Sequence, residues 1–329
     1  MMELGGAEIA GIKMHAAIDV IMRRNHIHHC TMGIWCDWEA QGTRLSQNLL
    51  HDNQRPAFAK QLKGGMMCQD IFVEVGHGPT LIDNNILLSD ASLRFATQGV
   101  AMVHNLICGA LTCVGEGTSW RYTPYHMPHR TEVMGFMTIL HGDDRFYNNI
   151  FVQKWPSDDI ITMHDSDDGF DTENRAAGTW MFDEYPTYDE WISQFDFSKP
   201  ADMAKLYGAH EGKLPVWIEG NAYLGGAKPS KKDVNALISA VAREDVRVEL
   251  VQKEDGYYLD TNVYELIEGF KNRMIDSDVL GKAFEPEERF ENPDGTAIRF
   301  DSDYFGTHRG VDVIPGPFAS KEEAAKKLY

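Results

Sequence analysis

The chain contains no run of eighteen apolar residues, so no transmembrane helix is expected. Its opening residues, MMELGGAEIAGIK, hold no basic stretch followed by an apolar one, so no signal peptide is expected. Positive charge is scarce: 31 Lys and Arg against 50 Asp and Glu leave a net charge of −19. That balance argues against nucleic acid or an anionic membrane as partner. Cysteine is sparse and unpatterned. Cys30, Cys36, Cys68, Cys108 and Cys113 are odd in number and no pair has metal-ligand spacing, so reduced thiols and a cytoplasmic setting are the expectation. The familiar ligand loops are missing too. The acidic run DSDDGFD (165–171) misplaces its glycine and lacks the closing Glu of an EF-hand. The run GAHEGK (208–213) is one residue short of a P-loop and lacks its Ser/Thr. His26, His28, His29 and Cys30 look metal-like together. Alternation along a strand splits them between faces, however, so ordinary histidines in a turn are expected.

What is present points to β-structure. A chain of 329 residues holds one large or two ordinary domains, and 43% apolar residues suffice for a sizeable core. The 29 glycines and 16 phenylalanines favour turns and strands over helical bundles. One local pattern repeats: apolar, one or two polar residues, Asn, then apolar. It occurs at Asn25, Asn48, Asn85, Asn105, Asn149 and, more weakly, Asn221. The first three intervals are 23, 37 and 20 residues. Roughly 20 to 25 residues is a solenoid rung, and asparagine suits its sharp turns and can bond to the asparagine of the next rung. The expected fold is therefore all-β: a right-handed parallel β-helix over residues 1–227, with a β-sandwich-like region over 228–329.

The longer intervals read as insertions, at 51–69 and 115–130, looped out on one face. The second carries Trp120, Tyr122, Tyr125, His126 and His129, residues suited to a substrate wall. Residues 154–213 lack a period and read as an excursion with short helices, one near Tyr188–Ser193. A strand is expected at Leu214–Tyr223 and a helix or linker at 230–245. A hairpin is expected to turn at Glu254-Asp255-Gly256, with further short strands in the last 60 residues.

The asparagines also serve as a ruler. Asp37 lies 11 residues before Asn48, and Glu74 lies 11 before Asn85. A common offset in consecutive rungs places the two carboxylates on neighbouring strands, about 4.8 Å apart. That matches the roughly 5 to 5.5 Å separation of retaining glycosidases. Like charges opposed across strands destabilise a sheet, so a purely structural rung would avoid them. Repulsion should also raise one of the two pKa values, although spacing does not say which. Trp35, Trp38 and Phe72 lie close by and suit sugar stacking. Glu8 lies one rung earlier, within reach of substrate. His77 follows Glu74 by three, an offset that points to the opposite face unless Gly76 and Gly78 re-aim it.

The strings GIWCDWEAQGT, QDIFVEVGHGP, IDNNILLS, TQGVAMVHNL, TPYHMPHRTE and HGDDRFYNNIF together resemble glycoside hydrolase family 120, the β-xylosidases. The resemblance is closest over residues 3–153 and continues loosely to the C-terminus. It implies a parallel β-helix with an outer sandwich, in a chain about twice as long, so that this one reads as an N-terminally truncated member. It also implies retaining release of xylose from the non-reducing end of xylo-oligosaccharides. On the family motifs, Asp37 falls at the nucleophile, Glu74 at the general acid/base and Glu8 at a further active-site carboxylate. Trp35, Trp38, His77, His126 and His129 complete the expected substrate-binding set. No metal or organic cofactor is expected, and beyond the sugar the one partner considered is a second copy of the chain. The rival readings are a non-catalytic polysaccharide-binding β-helix and a polysaccharide lyase. A lyase would call for a basic groove, which the acidic balance disfavours.

Overall fold

A computed structural model describes residues 8–54, 68–114, 121–154, 161–165, 170–196, 198–199 and 213–329. Trp120, and most of the 51–69, 165–171 and 208–213 stretches singled out above, lie outside these residues.

The described chain is mostly β, and its strands fall into three principal sheets. The first contains Ile12–His15, Ile34–Asp37, Ile71–Glu74, Ala91–Ala96 and Ala110–Val114 in parallel. The second contains Ile21–Arg23, Thr43–Ser46, Thr80–Asp83, Val100–Val103, Asp144–Tyr147 and Val216–Glu219, also parallel. The third runs from His26–His28 through Leu49–His51, Ile86–Leu87, Leu106–Ile107, Ile150–Val152 and Ala222–Leu224 to Leu237–Ile238. From Ile12 to Ile107 successive strands visit the three sheets in rotation. Strand segments are short and most inward positions are apolar. Ile34, Ile71, Leu93, Leu45, Ile82, Met102, Leu50, Leu87 and Ile107 meet in one buried cluster. Each such side chain contributes roughly 1.5–3 kcal/mol on burial.

The asparagine repeat is a hydrogen-bonded ladder through all six positions. The Asn25 backbone N–H and side-chain Nδ2 both donate to Asn48 Oδ1, at 2.9 Å each. The same double contact joins Asn48 to Asn85, Asn85 to Asn105, Asn105 to Asn149 and Asn149 to Asn221. From Asn48 onward each Nδ2 also donates to a strand carbonyl, such as Ile82 O from Asn105 at 2.8 Å. The conformational role differs from expectation. The left-handed residue at each turn precedes the ladder asparagine: Arg24, Gln47, Asn84, His104, Asn148 and Gly220, with φ between 53° and 72°. The asparagine is selected for its amide, which occupies buried polar backbone that water does not reach. Asn105→Leu leaves donors and acceptors of two neighbouring rungs unsatisfied. It should cost roughly 2–4 kcal/mol of stability, read as a lowered urea midpoint with unchanged m.

Several regions depart from the sequence reading. The aperiodic stretch 154–213 reads from sequence as an excursion with short helices, and it also holds two strands, Ile161–Asp165 and Phe170–Ala176, which extend the first sheet in antiparallel fashion. Tyr188–Ile192 is the expected short helix, opened by a capping box on Thr187 and Glu190. The expected strand near 214–223 is split into Val216–Glu219 and Ala222–Leu224 by Gly220, whose φ is +72°. In 228–329 the hairpin turns as expected, pairing Val248–Lys253 with Gly256–Thr261. Beyond it, the described residues hold isolated bridges and short helices where further strands were expected. The frequent Gly, Pro and Asp of that stretch favour turns that side-chain packing, not a ladder, holds in place.

This C-terminal part determines where a site can lie. Val248, Leu259, Val263, Tyr264 and Phe318 cover the outer face of the third sheet, at Leu49, Ile86, Leu106 and Ile150. Ile275, Leu280, Phe290, Ile298 and Phe300 cover the outer face of the second, at Leu81, Ala101, Val103 and Tyr147. On the outer face of the first sheet, the packed apolar cluster is small: Met32, Trp35, Phe72, Ala96 and Val114.

Candidate active site

Alternation along the strands sends Ile34, Cys36, Ile71 and Val73 into the core, and Trp35, Asp37, Phe72 and Glu74 to the outer face of the first sheet. Register then lines up two rows. One contains Lys13, Trp35, Phe72 and Arg94. The other contains His15 against Asp37, and Glu74 against Ala96, each two residues further along its strand. Asp37 and Glu74 each close a strand, directly after the paired Cys36 and Val73. The chain then turns at once: Trp38 and Glu39 on one strand, and Val75 on the other, have positive φ. For a β-branched valine that conformation is a genuine outlier, and it sits beside a functional carboxyl candidate.

The two carboxyls have unlike surroundings, although both are buried. Lys13 Nζ lies 2.6 Å from Asp37 Oδ2, and His15 Nε2 lies 3.9 Å from the same oxygen. Lys13 also pairs with Glu8 and sits 4.0 Å over the Trp35 ring. Asp37 Oδ1 has no hydrogen-bond partner among the described residues. Glu74 accepts from Trp35 Nε1 at Oε2, at 3.0 Å, and faces Arg121 Nη1 at Oε1, at 3.4 Å. Burial, and after it the Asp37 carboxylate alongside, push the Glu74 pKa up to about 7, against the opposing charges of Arg121 and Arg94.

The candidates named from sequence fall into two groups. Asp37, Glu74, Glu8, Trp35 and Trp38 come together. Trp35 is buried, with Lys13 over its ring and Phe72 stacked beside it. Trp38 is partly exposed, stacks on His15 and has the Arg121 guanidinium 5.5 Å from its ring. The three histidines form a separate wall. The second insertion supplies the first strand and the turn of an antiparallel hairpin, Tyr122–His126 against Val133–Thr138, whose His129 reaches Glu291 of the C-terminal part. His77 is buried beneath it, donating from Nε2 to Thr123 O at 3.3 Å, with Nδ1 3.6 Å from Glu285 and Tyr125 edge-on at 5.5 Å. His126 donates from Nδ1 to Thr131 O and turns Nε2 toward Glu39, 3.7 Å away. His129 bonds Asp19 at 2.9 Å and faces Glu291 at 3.4 Å; burial works against its charge, but these two carboxylates raise its pKa overall.

Sequence reasoning missed Lys13, Arg94 and Arg121, the cations that set the balance around the pair. Lys13 and Arg94 were legible as strand neighbours of Trp35 and Phe72, had register been known. Arg121 was not, because it arrives at the foot of an inserted hairpin. The C-terminal carboxyls were missed as well. Gln41 Nε2 donates to Glu288 at 2.7 Å, and burial pushes the Glu288 pKa up to about 7.

Among the described residues, two groups of side chains bring potential ligand atoms within 4.8 Å of one another: Asp19, His129 and Glu288, and His26, His28 and His51. In the second group, burial and then the neighbouring imidazoles lower the His26 pKa to about 4.

No protein-family model matches the chain, and no curated protein does. Among solved structures the chain is similar to one described as the complex structure of XylC with xylose. Identity is 34%, with a TM-score of 0.80, over 98% of this chain and 45% of that one. The chain therefore spans less than half the length of that relative.

Proposed function

We propose that the chain belongs to glycoside hydrolase family 120, the β-xylosidases, and carries the catalytic centre of a retaining β-xylosidase. The observation that carries this reading is the pair itself: two buried carboxyls side by side on paired strands, one with its pKa pushed up to about 7. Adjacent strands, about 4.8 Å apart, suit direct attack by a carboxylate and leave too little room for the water an inverting enzyme places between its carboxyls.

The surroundings assign the roles. Asp37 is anchored at Oδ2 by Lys13, leaving Oδ1 free to attack the anomeric carbon. As that bond forms, the bond to the leaving oxygen breaks and Glu74 gives the oxygen its proton. Glu74, now a carboxylate, takes a proton from water. The resulting hydroxide attacks the anomeric carbon, the Asp37 ester breaks, and the sugar leaves with its original configuration. Trp35 acts as a positioning residue that holds Glu74 through Oε2, and Lys13 holds Asp37. Glu8 and Trp38 border the pair and contact the sugar ring. His77, His126 and His129 belong to the wall on the hairpin side, where the remainder of a xylo-oligosaccharide would lie.

The same reading extends to the architecture. Strands that visit three sheets in rotation, with an asparagine ladder at one turn, support a right-handed parallel β-helix over residues 1–227. Residues 228–329, apart from Leu237–Ile238 at the end of the third sheet, form a second unit packed on two of its outer faces. A non-catalytic sugar-binding β-helix is less favoured, because binding gives no reason to bury two like charges side by side. The test is proton NMR of the first product released from an aryl β-xyloside. β-Xylose should appear first and mutarotate afterwards; α-xylose as first product would refute the double displacement.

A further inference from the structure

The sequence sets His26, His28, His29 and Cys30 in a row, and simple alternation suggests that they part. In the structure His26 and His28 fall on the same face of their short strand, two residues apart, with Ile27 turned into the core. The strand forms one edge of the third sheet and pairs with Leu49–His51, with His28 directly opposite His51. Three imidazoles from two rungs thereby converge. His26 Nε2 is 2.7 Å from His51 Nε2, and the His28 and His51 rings stack at 4.9 Å, 8° from parallel. Cys30 takes no part in the group; its thiol lies against the His28 carbonyl.

One nitrogen is oriented from outside the trio. The Asp52 carboxylate lies 2.6 Å from His51 Nδ1. Asp52 therefore keeps the His51 proton on Nδ1 and turns the Nε2 lone pair toward His26 and His28. A carboxylate behind an imidazole, with the far nitrogen directed at a shared point, is how metal-binding histidines are held. The opposite side is closed by rings. Tyr257, in the C-terminal hairpin, meets His26 edge-on at 4.8 Å, and the Tyr329 ring lies 4.9 Å from it. Tyr257 N donates to Tyr329 O at 2.8 Å, so hairpin and C-terminal tail reach this point together.

We propose that His26, His28 and His51 bind a divalent first-row transition ion, Zn²⁺ foremost, as a structural clamp. An all-imidazole donor set suits zinc, nickel or copper and does not suit calcium or magnesium, which take oxygen ligands. The ion takes the place of the His26–His51 hydrogen bond, and His26 then carries its N–H on Nδ1. Its effect is to tie the edge strand of the third sheet to the next strand inward, beneath the hairpin and the tail. The clamp lies on a different sheet from Asp37 and Glu74, so it serves stability and takes no part in sugar chemistry. This site does not depend on the glycosidase reading.

The test is calorimetric titration of the chelator-treated, tag-free chain with ZnCl₂, paired with thermal unfolding. The expected result is one equivalent bound with a raised Tm, and Co²⁺ in place of zinc should give visible ligand-field bands. His28→Gln, at an exposed position where folding is not at risk, should weaken binding at least about tenfold, as should His51→Gln. Asp52→Asn should weaken it by roughly tenfold through the orientation of His51. His308→Gln, at an exposed histidine outside the trio and its contacts, should leave it intact. Absence of stoichiometric binding, or a zinc-dependent Tm rise that survives His28→Gln, would overturn the proposal.

Discussion

Asp37→Asn lowers kcat for aryl β-xyloside hydrolysis by about 10⁴-fold or more and abolishes the covalent intermediate. The asparagine is isosteric, so geometry is preserved while the nucleophile is lost. Its loss takes away the charge partner of Lys13, which lies 2.6 Å away, and so leaves a partly buried ammonium with Glu8 as its counter-charge among the described residues. A modest loss of stability therefore accompanies the loss of activity. The same change removes one of the influences that hold the Glu74 pKa up, so Glu74 titrates at lower pH in this variant. Three readouts follow: steady-state rate, mass-spectrometric trapping with a 2-fluoro-xyloside, and the Glu74 titration by carbon-13 NMR. Retention of wild-type activity by Asp37→Asn would end the assignment. Loss of activity with an unchanged Glu74 titration would mean that the two carboxyls do not share a field.

Glu74→Gln gives a different profile, because an acid/base is needed in both halves of the reaction. With a poor leaving group, such as a second xylose, the loss is about 10²- to 10⁴-fold. With nitrophenol as leaving group the first step needs little proton transfer, so glycosylation survives and the intermediate accumulates. Azide, which needs no base, then restores turnover and yields the β-xylosyl azide. In the unmodified protein kcat/KM falls as pH rises through about 7, since the acid must begin protonated. Glu74→Gln removes that limb. Arg121→Met moves it upward, because the guanidinium lowers the Glu74 pKa and its removal lets the proton stay to higher pH. A limb unchanged in Glu74→Gln would transfer the acid role to another group, and Glu288, also near 7, would be the first to examine.

The ruler that paired these residues worked for a local reason. The rungs ending at Asn48 and Asn85 have equal numbers of residues between outer carboxyl and ladder, so an offset of 11 meant neighbours in space. It does not carry to the next rung. Arg94 stands 11 residues before Asn105, yet register sets it beside Phe72, and Ala96 beside Glu74. On the preceding rung the residue paired with Asp37 is His15, 10 before Asn25. Turn lengths vary because each turn is closed locally, with Glu39 at left-handed φ after one strand and Val75, an outlier there, after the next. The histidines show the limit in another way. His26 and His28 were visible as a pair, but His51 belongs with them only through strand pairing, and Asp52 only through His51.

Alternation, the asparagine period and the carboxylate offset are properties of a repeating backbone, and one rung suffices to read them. They therefore specified an all-β chain, a ladder of six asparagines and a facing pair of acids. The raised pKa of Glu74 comes from burial and from the Asp37 carboxylate, against Arg121 brought in by an inserted hairpin, while Lys13 from the preceding rung pairs with Asp37. The face left for the site was settled by residues 248–318, which cover the other two sheets. Charge balance and burial are sums over everything nearby in space. A repeat along the sequence specifies neighbours within the stack, and it carries no record of what folds back against it.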